Sequence, residues 1–423
     1  MNAPFSGDSA PLAARVRAWQ TAAEQRVPGH RSDYPVSPPL HARLTGIDAA
    51  RGIAIVMVCV SHVRHHFLDW PVVYATLTSV TRVATPTFLF LSGFVAAYVL
   101  ASRRAGARTA VIDRGLAVLL IGHLLLNLAQ LTEITFAQWL LGRVTMTDAI
   151  GICLIIGALC ARFPPQVLLI AGSTLVALCG PLASLLSRDE ALAGHYVVSA
   201  LLGTANDSRG LHDAALAPCL GMFLIGMALS KSSLSLTGHP DRLARKLFVV
   251  GITAIGVVFL AGFLWHSLRG ISGDPIGSIR GTALLRQALN PFAKMPPSPA
   301  YIVFYGGAAL MLAAACLAQR PRIALEPVVR WTATLGRASL LCFVVQDWLL
   351  RGLPLLLGLD EYRAPLFWVS YLIATLVVLR WLARHWDARG ANRFLSVGLK
   401  RLHRTDAPRA QSGTEPAHPA REI

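Results

Sequence analysis

The sequence has little charge: Asp, Glu, Lys and Arg make up 14% of its 423 residues, against 54% hydrophobic residues. A soluble domain carries about a quarter charged residues, so the composition excludes an ordinary soluble globule. With a mean hydropathy of +0.53, it points to a polytopic membrane protein. Acid is scarcer still, with 22 Asp and Glu against 39 Lys and Arg. The excess base falls in short segments between apolar runs and in both tails, as retention of Lys and Arg on the cytoplasmic side requires, and nucleic acid is therefore not expected as a partner. The seven cysteines all sit inside apolar runs, with no CxxC and no pair in a loop, which excludes a disulfide framework and leaves them as small packing residues. The first forty residues contain no apolar core of signal-peptide length, and no repeat recurs at a fixed period. The first absence argues against a cleaved leader and the second against an inverted-repeat transporter.

What the sequence does have is a succession of long apolar runs. With about 20 helical residues needed to cross a bilayer core, ten spans are expected, near 46–67, 73–101, 110–130, 147–163, 166–187, 214–230, 247–267, 299–318, 337–356 and 364–383. The expected fold is an all-α transmembrane bundle of about ten helices with both termini cytoplasmic. A basic, largely disordered arm covers 1–42, the membrane domain 43–385 and a basic tail 386–423.

The first run, "GIDAARGIAIVMVCVSHVRHHF", carries polar residues that lipid would reject. On a helix each residue advances about 100° and rises about 1.5 Å, so Arg51 and His62 lie within about 20° of each other and about 16 Å apart, with Asp48 within about 60° of both. The three share one stripe that can face a bundle interior. Arg51 suits the phosphates of a donor such as acyl-CoA, because its rigid fork pairs with phosphate in a bidentate way. His62 suits a general base acting on an acceptor hydroxyl. Asp48 can orient Arg51, or form an ordinary i,i+3 pair with it. His62, His65 and His66 have i,i+3 and i,i+4 spacings, but no carboxylate or cysteine completes a ligand set, and no metal is expected.

Further polar residues occur deeper in the chain. Arg82 in the second run is a candidate for holding a phosphate or an oxyanion, or for pairing with a carboxylate. Pro86, four residues on, must free a backbone carbonyl that needs another partner. His123, Asn127 and Gln130 share a helical face, which suits either a polar tunnel or helix-to-helix hydrogen bonding. Asp148 is either an N-cap or an acceptor-site carboxylate, and Asp347 and Arg351, one turn apart, pair most simply with each other.

Asp48, Arg51, Gly52 and His62 in this order and spacing resemble the first-span signature of the acyltransferase-3 superfamily of integral membrane acyltransferases. "TPTFLFLSGFVAAYV" (85–99) is similar to that superfamily's Phe-rich run ending in Ser92, Gly93 and Phe94, and "LGRASLLCFVVQ" (335–346) to its late helix start at Gly336 and Ser339. The wording "FLFLSGF" is most similar to the OpgC-type proteins that succinylate osmoregulated periplasmic glucans. The resemblance implies a bacterial inner-membrane enzyme that moves an acyl group, succinyl or acetyl, from cytoplasmic acyl-CoA to a carbohydrate hydroxyl, with Arg51 and His62 essential. One position departs from the pattern: Gln346 stands where the superfamily often has a histidine, and an amide cannot serve as a base. The competing expectation is a transporter or flippase whose intramembrane charges line a permeation path.

Overall fold

A computed structural model describes residues 44–399 apart from 102–105, 130–142, 188, 190–194, 204–213, 273–284, 295–296, 319–321, 360 and 363. The arm over 1–42, Gln130 and the tail beyond residue 399 lie outside the described residues. The protein is an all-α polytopic membrane protein, and among the described residues eight helical segments are long and apolar enough to cross a bilayer. In chain order the helices are α1 (Thr45–Val63), α2 (Pro71–Thr81), α3 (Ala84–Ala101), α4 (Ala107–Leu128), α5 (Met146–Leu159), α6 (Pro165–Leu186), α7 (Tyr196–Leu202) and α8 (Leu216–Lys231). After these come α9 (Pro240–Ser272), α10 (Pro299–Leu317), α11 (Arg322–Arg337), α12 (Ser339–Asp347), α13 (Leu353–Leu356) and α14 (Pro365–Ala388).

Each of the ten expected runs is helical, but two are short. At 14 and 16 residues, α5 and α8 extend about 21 and 24 Å, less than the roughly 30 Å of hydrocarbon. Both are largely enclosed by other helices: α8 packs on α3, α6 and α5, and α5 on α4. A helix that faces protein need not match the thickness of lipid.

Two features differ from the expected pattern. The second run is split at Arg82 and Val83 into α2 and α3. Pro86 has no N–H to return to the carbonyl of Arg82, four residues earlier, and that carbonyl instead accepts the Tyr301 hydroxyl at 3.2 Å. Most of the stretch between the expected spans 299–318 and 337–356 is itself helical: Arg322–Arg337 forms the amphipathic helix α11, which lies along α1.

Glycines set the closest helix crossings. The five most extensively packed pairs are α9 with α10, α3 with α8, α4 with α5, α6 with α8, and α1 with α11. Gly251 and Gly307, Gly93 and Gly226, Gly115 and Gly151, Gly172 and Gly221, and Gly52 and Gly336 lie at these crossings in the same order, each facing the backbone of the opposing helix. In lipid no hydrophobic force separates helix from solvent, so association rests on close backbone approach through small residues. At α1 and α11 the fit is tightest: a Cβ on Gly52 would fall on the carbonyl oxygen of Thr332, and one on Gly336 on that of Asp48.

Candidate active site

The α1–α11 crossing aligns the start of α12 beside the first turns of α1. Ser339, the first residue of α12, accepts a hydrogen bond from Nη2 of Arg51 at 2.6 Å. The first and third sequence motifs thus meet in space. Phe88 and Ser92 from the second motif join them, lining with Arg51, Arg114, Ser339 and Phe343 a cavity of about 350 Å³. Asp113 closes one side of it: buried in α4, its carboxylate accepts the backbone N–H groups of Val397 and Leu399 at 3.1 Å and the Ser396 hydroxyl. The chain after α14 is thereby folded back, and Asn392, Leu395 and Ser396 form part of the wall.

His62, near the other end of α1, lines a second cavity of about 230 Å³. Its Nε2 lies 3.9 Å from Oδ1 of Asp347, and the same oxygen is 3.6 Å from Nη1 of Arg351. The expected pairing of Asp347 with Arg351 is therefore present, and His62 is the additional partner. Asp347 is the last residue of α12, and a wide π turn, Trp348–Gly352, follows it and carries Arg351. Such turns interrupt helices preferentially at functional sites. Gln346, the departure from the superfamily pattern, is buried beside Asp347 and lines the same cavity. It donates through Nε2 to the Phe343 carbonyl at 3.0 Å, while its Oε1 finds no donor among the described residues.

The wall of this second cavity is strongly cationic. Arg64, Arg82, Arg143, Lys294 and Arg351 line it, against Asp347 as the one carboxylate among the described lining residues. Arg82 stands here, with its guanidinium 5.7 Å from the Phe292 ring, and does not line the Arg51 cavity. Arg51 and Arg82, both candidates for holding a phosphate, thus line different cavities. Asp48 lines neither cavity; it is buried in the first turn of α1, where its backbone meets Gly336.

The two cavities share two residues, Phe88 and Phe343. Their rings meet edge to face, with centroids 5.8 Å apart and planes at 84°, a preferred geometry for an aromatic pair. The Arg51 and His62 ends of the stripe are thus two chambers on either side of an aromatic partition.

Several of the remaining polar residues of the sequence reading bond to one another. His123 Nδ1 lies 2.9 Å from Oδ2 of Asp148, and Asn127 Nδ2 is 3.2 Å from His123 Nε2. Asp148 is not the N-cap itself. Thr145 holds that place, and Asp148, three residues on, completes a capping box by accepting the Thr145 N–H at 2.7 Å, which satisfies helix-end donors reciprocally. Asn127 and Thr145 reach the His62 cavity, so this network braces its wall. His66 stacks on Trp368, with ring centroids 3.6 Å apart. Among the described residues no group of His, Cys, Asp and Glu is arranged to hold a metal ion.

Residues 43–268 match the model of the family described as heparan-alpha-glucosaminide N-acetyltransferase, catalytic. The chain belongs to this family. It is accordingly a membrane acetyltransferase by descent, and the expectation of a membrane acyltransferase holds at that level; the match carries no OpgC or glucan specificity. No curated protein matches the chain. The region that matches the N-acetyltransferase family supplies Arg51, His62, Arg82, Phe88 and the Asp148 network. Ser339, Phe343, Gln346, Asp347 and Arg351 come from the part beyond it and complete both chambers.

Several residues of the site are not singled out by the sequence reading, among them Phe88, Phe343 and Lys294. Phe88 and Phe343 look like ordinary members of apolar runs, and Lys294 lies in a loop between spans. Helical spacing could not reveal them, since each joins the site through a tertiary contact.

Proposed function

We propose that the protein transfers an acetyl group from acetyl-CoA, held on the Arg51 side, to an amine or hydroxyl of a carbohydrate in the His62 chamber. The observation that carries this reading is the pair of chambers, one with an arginine aligned by Ser339 and one with a histidine beside a carboxylate, with Phe88 and Phe343 lining both. In this reading Arg51 and Arg114 attract the phosphates of the donor from the cytoplasm, and the acetyl end reaches past the aromatic pair. His62 takes the proton from the acceptor as its nitrogen or oxygen attacks the thioester carbonyl. The carbon–sulfur bond then breaks, and the proton passes to the leaving thiolate. Asp347 stabilises the imidazolium while it lasts, and an ionised partner strengthens such a contact. The family match favours acetyl over succinyl, and a bacterial inner-membrane location with an envelope sugar as acceptor fits the same reading.

The test is transfer of radiolabelled acetyl from acetyl-CoA by the full chain in detergent, with a glucosaminide and the corresponding glucoside as acceptors. Label on the glucosaminide alone indicates an amine acceptor, and label on both includes a hydroxyl. No label on either, with no acetyl-CoA consumed, would sink the reading. Within an active preparation, Arg51→Lys keeps the charge but loses the fork and should raise the KM for acetyl-CoA about tenfold, which corresponds to about 1.4 kcal/mol, with little change in kcat.

The aromatic partition makes a separate prediction. Phe343→Ala should open the wall between the chambers and let larger acyl groups through, raising the rate with butyryl-CoA relative to acetyl-CoA. Competition between the two donors measures this directly. An unchanged preference would mean that Phe343 does not limit the acyl group.

A further inference from the structure

A third concavity lies outside both chambers. It is a groove of about 790 Å³ between α11 and the last turns of α14, lined by Arg330, Trp331 and Arg337 from the first helix and Arg380, Arg384 and Asp387 from the second. Four guanidinium groups there face one carboxylate. That carboxylate is engaged, since Asp387 Oδ2 accepts Nε of Arg337 at 2.6 Å. Arg330 lies 3.4 Å from Glu326, but both side chains are well exposed, and an exposed pair of this kind binds its partner only weakly. Arg380 and Arg384 stand one turn apart on one helix face, an arrangement of like charges that is unfavourable unless an anion lies between them. The guanidinium of Arg380 is also 5.9 Å from the Trp331 ring, which holds it over the groove.

Depth in the membrane indicates which anion fits. The 24 residues of α14 extend about 36 Å, some 6 Å more than a typical hydrocarbon core. The final turns, with Arg384, therefore emerge among the lipid headgroups, and Arg380 can extend its side chain to the same level. Directly beside the arginines, Val328, Val377 and Trp381 are exposed, an apolar shoulder at the height of the first acyl-chain carbons. A cationic cleft with an apolar shoulder at this level matches a phosphodiester attached to acyl chains.

We propose that this groove binds the phosphate of an anionic phospholipid, with Arg380 and Arg384 as its main contacts and Val377 and Trp381 against its chains. The chemistry recognised is a phosphate, which a soluble molecule also offers, and the test separates the two sources. The full chain in neutral maltoside detergent is unfolded thermally with phosphatidylglycerol, with phosphatidylcholine of the same chains, with inorganic phosphate or with coenzyme A. Phosphatidylglycerol should raise the unfolding temperature by several degrees, with phosphatidylcholine and inorganic phosphate giving much less. The double variant Arg380→Gln, Arg384→Gln should lose most of that shift while unfolding at the wild-type temperature without lipid, because both side chains are exposed. Arg384→Lys, which keeps the charge, should retain part of it and guards against a fold defect in the double variant. Equal stabilisation by the two lipids, a full phosphatidylglycerol shift in the double variant, a shift with inorganic phosphate as large as that with phosphatidylglycerol, or a coenzyme A shift that the double variant loses would overturn the lipid assignment; a coenzyme A shift that the double variant keeps belongs to the Arg51 chamber.

Discussion

Replacing His62 by glutamine should lower acetyl transfer by about 10²- to 10⁴-fold, the range that a positioned general base contributes, and should leave the KM for acetyl-CoA nearly unchanged. The split follows from the geometry. His62 and its partner Asp347 line one chamber, whereas Arg51 and Ser339 line the other, so removal of the proposed base leaves the proposed donor anchor intact. Asp347→Asn should act in the same direction but more weakly. The amide still fills the space at the end of α12, but it no longer stabilises the charged imidazole that lies 3.9 Å away. The cations on the same wall, Arg351 and Arg64 among them, would then oppose imidazolium formation without a carboxylate to offset them. Initial rates against acetyl-CoA concentration, for wild type and both variants at matched levels of folded protein, decide the matter. A kcat within threefold of wild type for His62→Gln would remove His62 from the chemistry, and a rise in KM with kcat unchanged would place it at the donor.

Much of this site can be read in the sequence because it depends on local spacing. A helical wheel places Arg51 and His62 on one stripe, and two further short motifs mark Ser92 in one run and Ser339 in another. Pro86 predicts a freed carbonyl, and Tyr301 takes it. What could not be read depends on contacts between distant segments. Asp347 shows only its i,i+4 partner Arg351 in the sequence, and its approach to His62 needs α12 folded beside α1. Arg82 has the chemistry of a phosphate anchor, but it stands at the break between α2 and α3 and lines the His62 chamber. Helix α11 escaped a search for apolar runs because Glu326 and Arg330 lower its hydropathy. Its buried face, Thr332, Ala333, Leu335 and Gly336, is the polar-apolar alternation of a helix lying against protein on one side and water or headgroups on the other.

That overlooked helix carries the second large expectation. Gly336→Ala adds one methyl group where the backbone of Asp48 already stands, and Gly52→Ala does the same against Thr332. A flexible side chain could turn aside, but a helical carbonyl cannot move without its helix. Each substitution must push α1 and α11 apart. Overpacking of a well-filled interior costs about 1–3 kcal/mol even where side chains can adjust, so backbone against backbone should reach or exceed the upper end. The displacement also reaches the site, because Ser339 starts the helix that follows Gly336 and its hydroxyl holds Arg51 at 2.6 Å. Gly336→Ala should therefore lower the unfolding temperature by several degrees and raise the KM for acetyl-CoA together. Ser339→Ala should raise the KM while leaving the unfolding temperature close to wild type, since it removes the hydrogen bond and leaves the crossing intact. If Gly336→Ala unfolds and turns over as the wild type does, the glycine crossing does not position Arg51, and the alignment of the donor chamber must come from α12 and the folded-back segment at Asp113 alone.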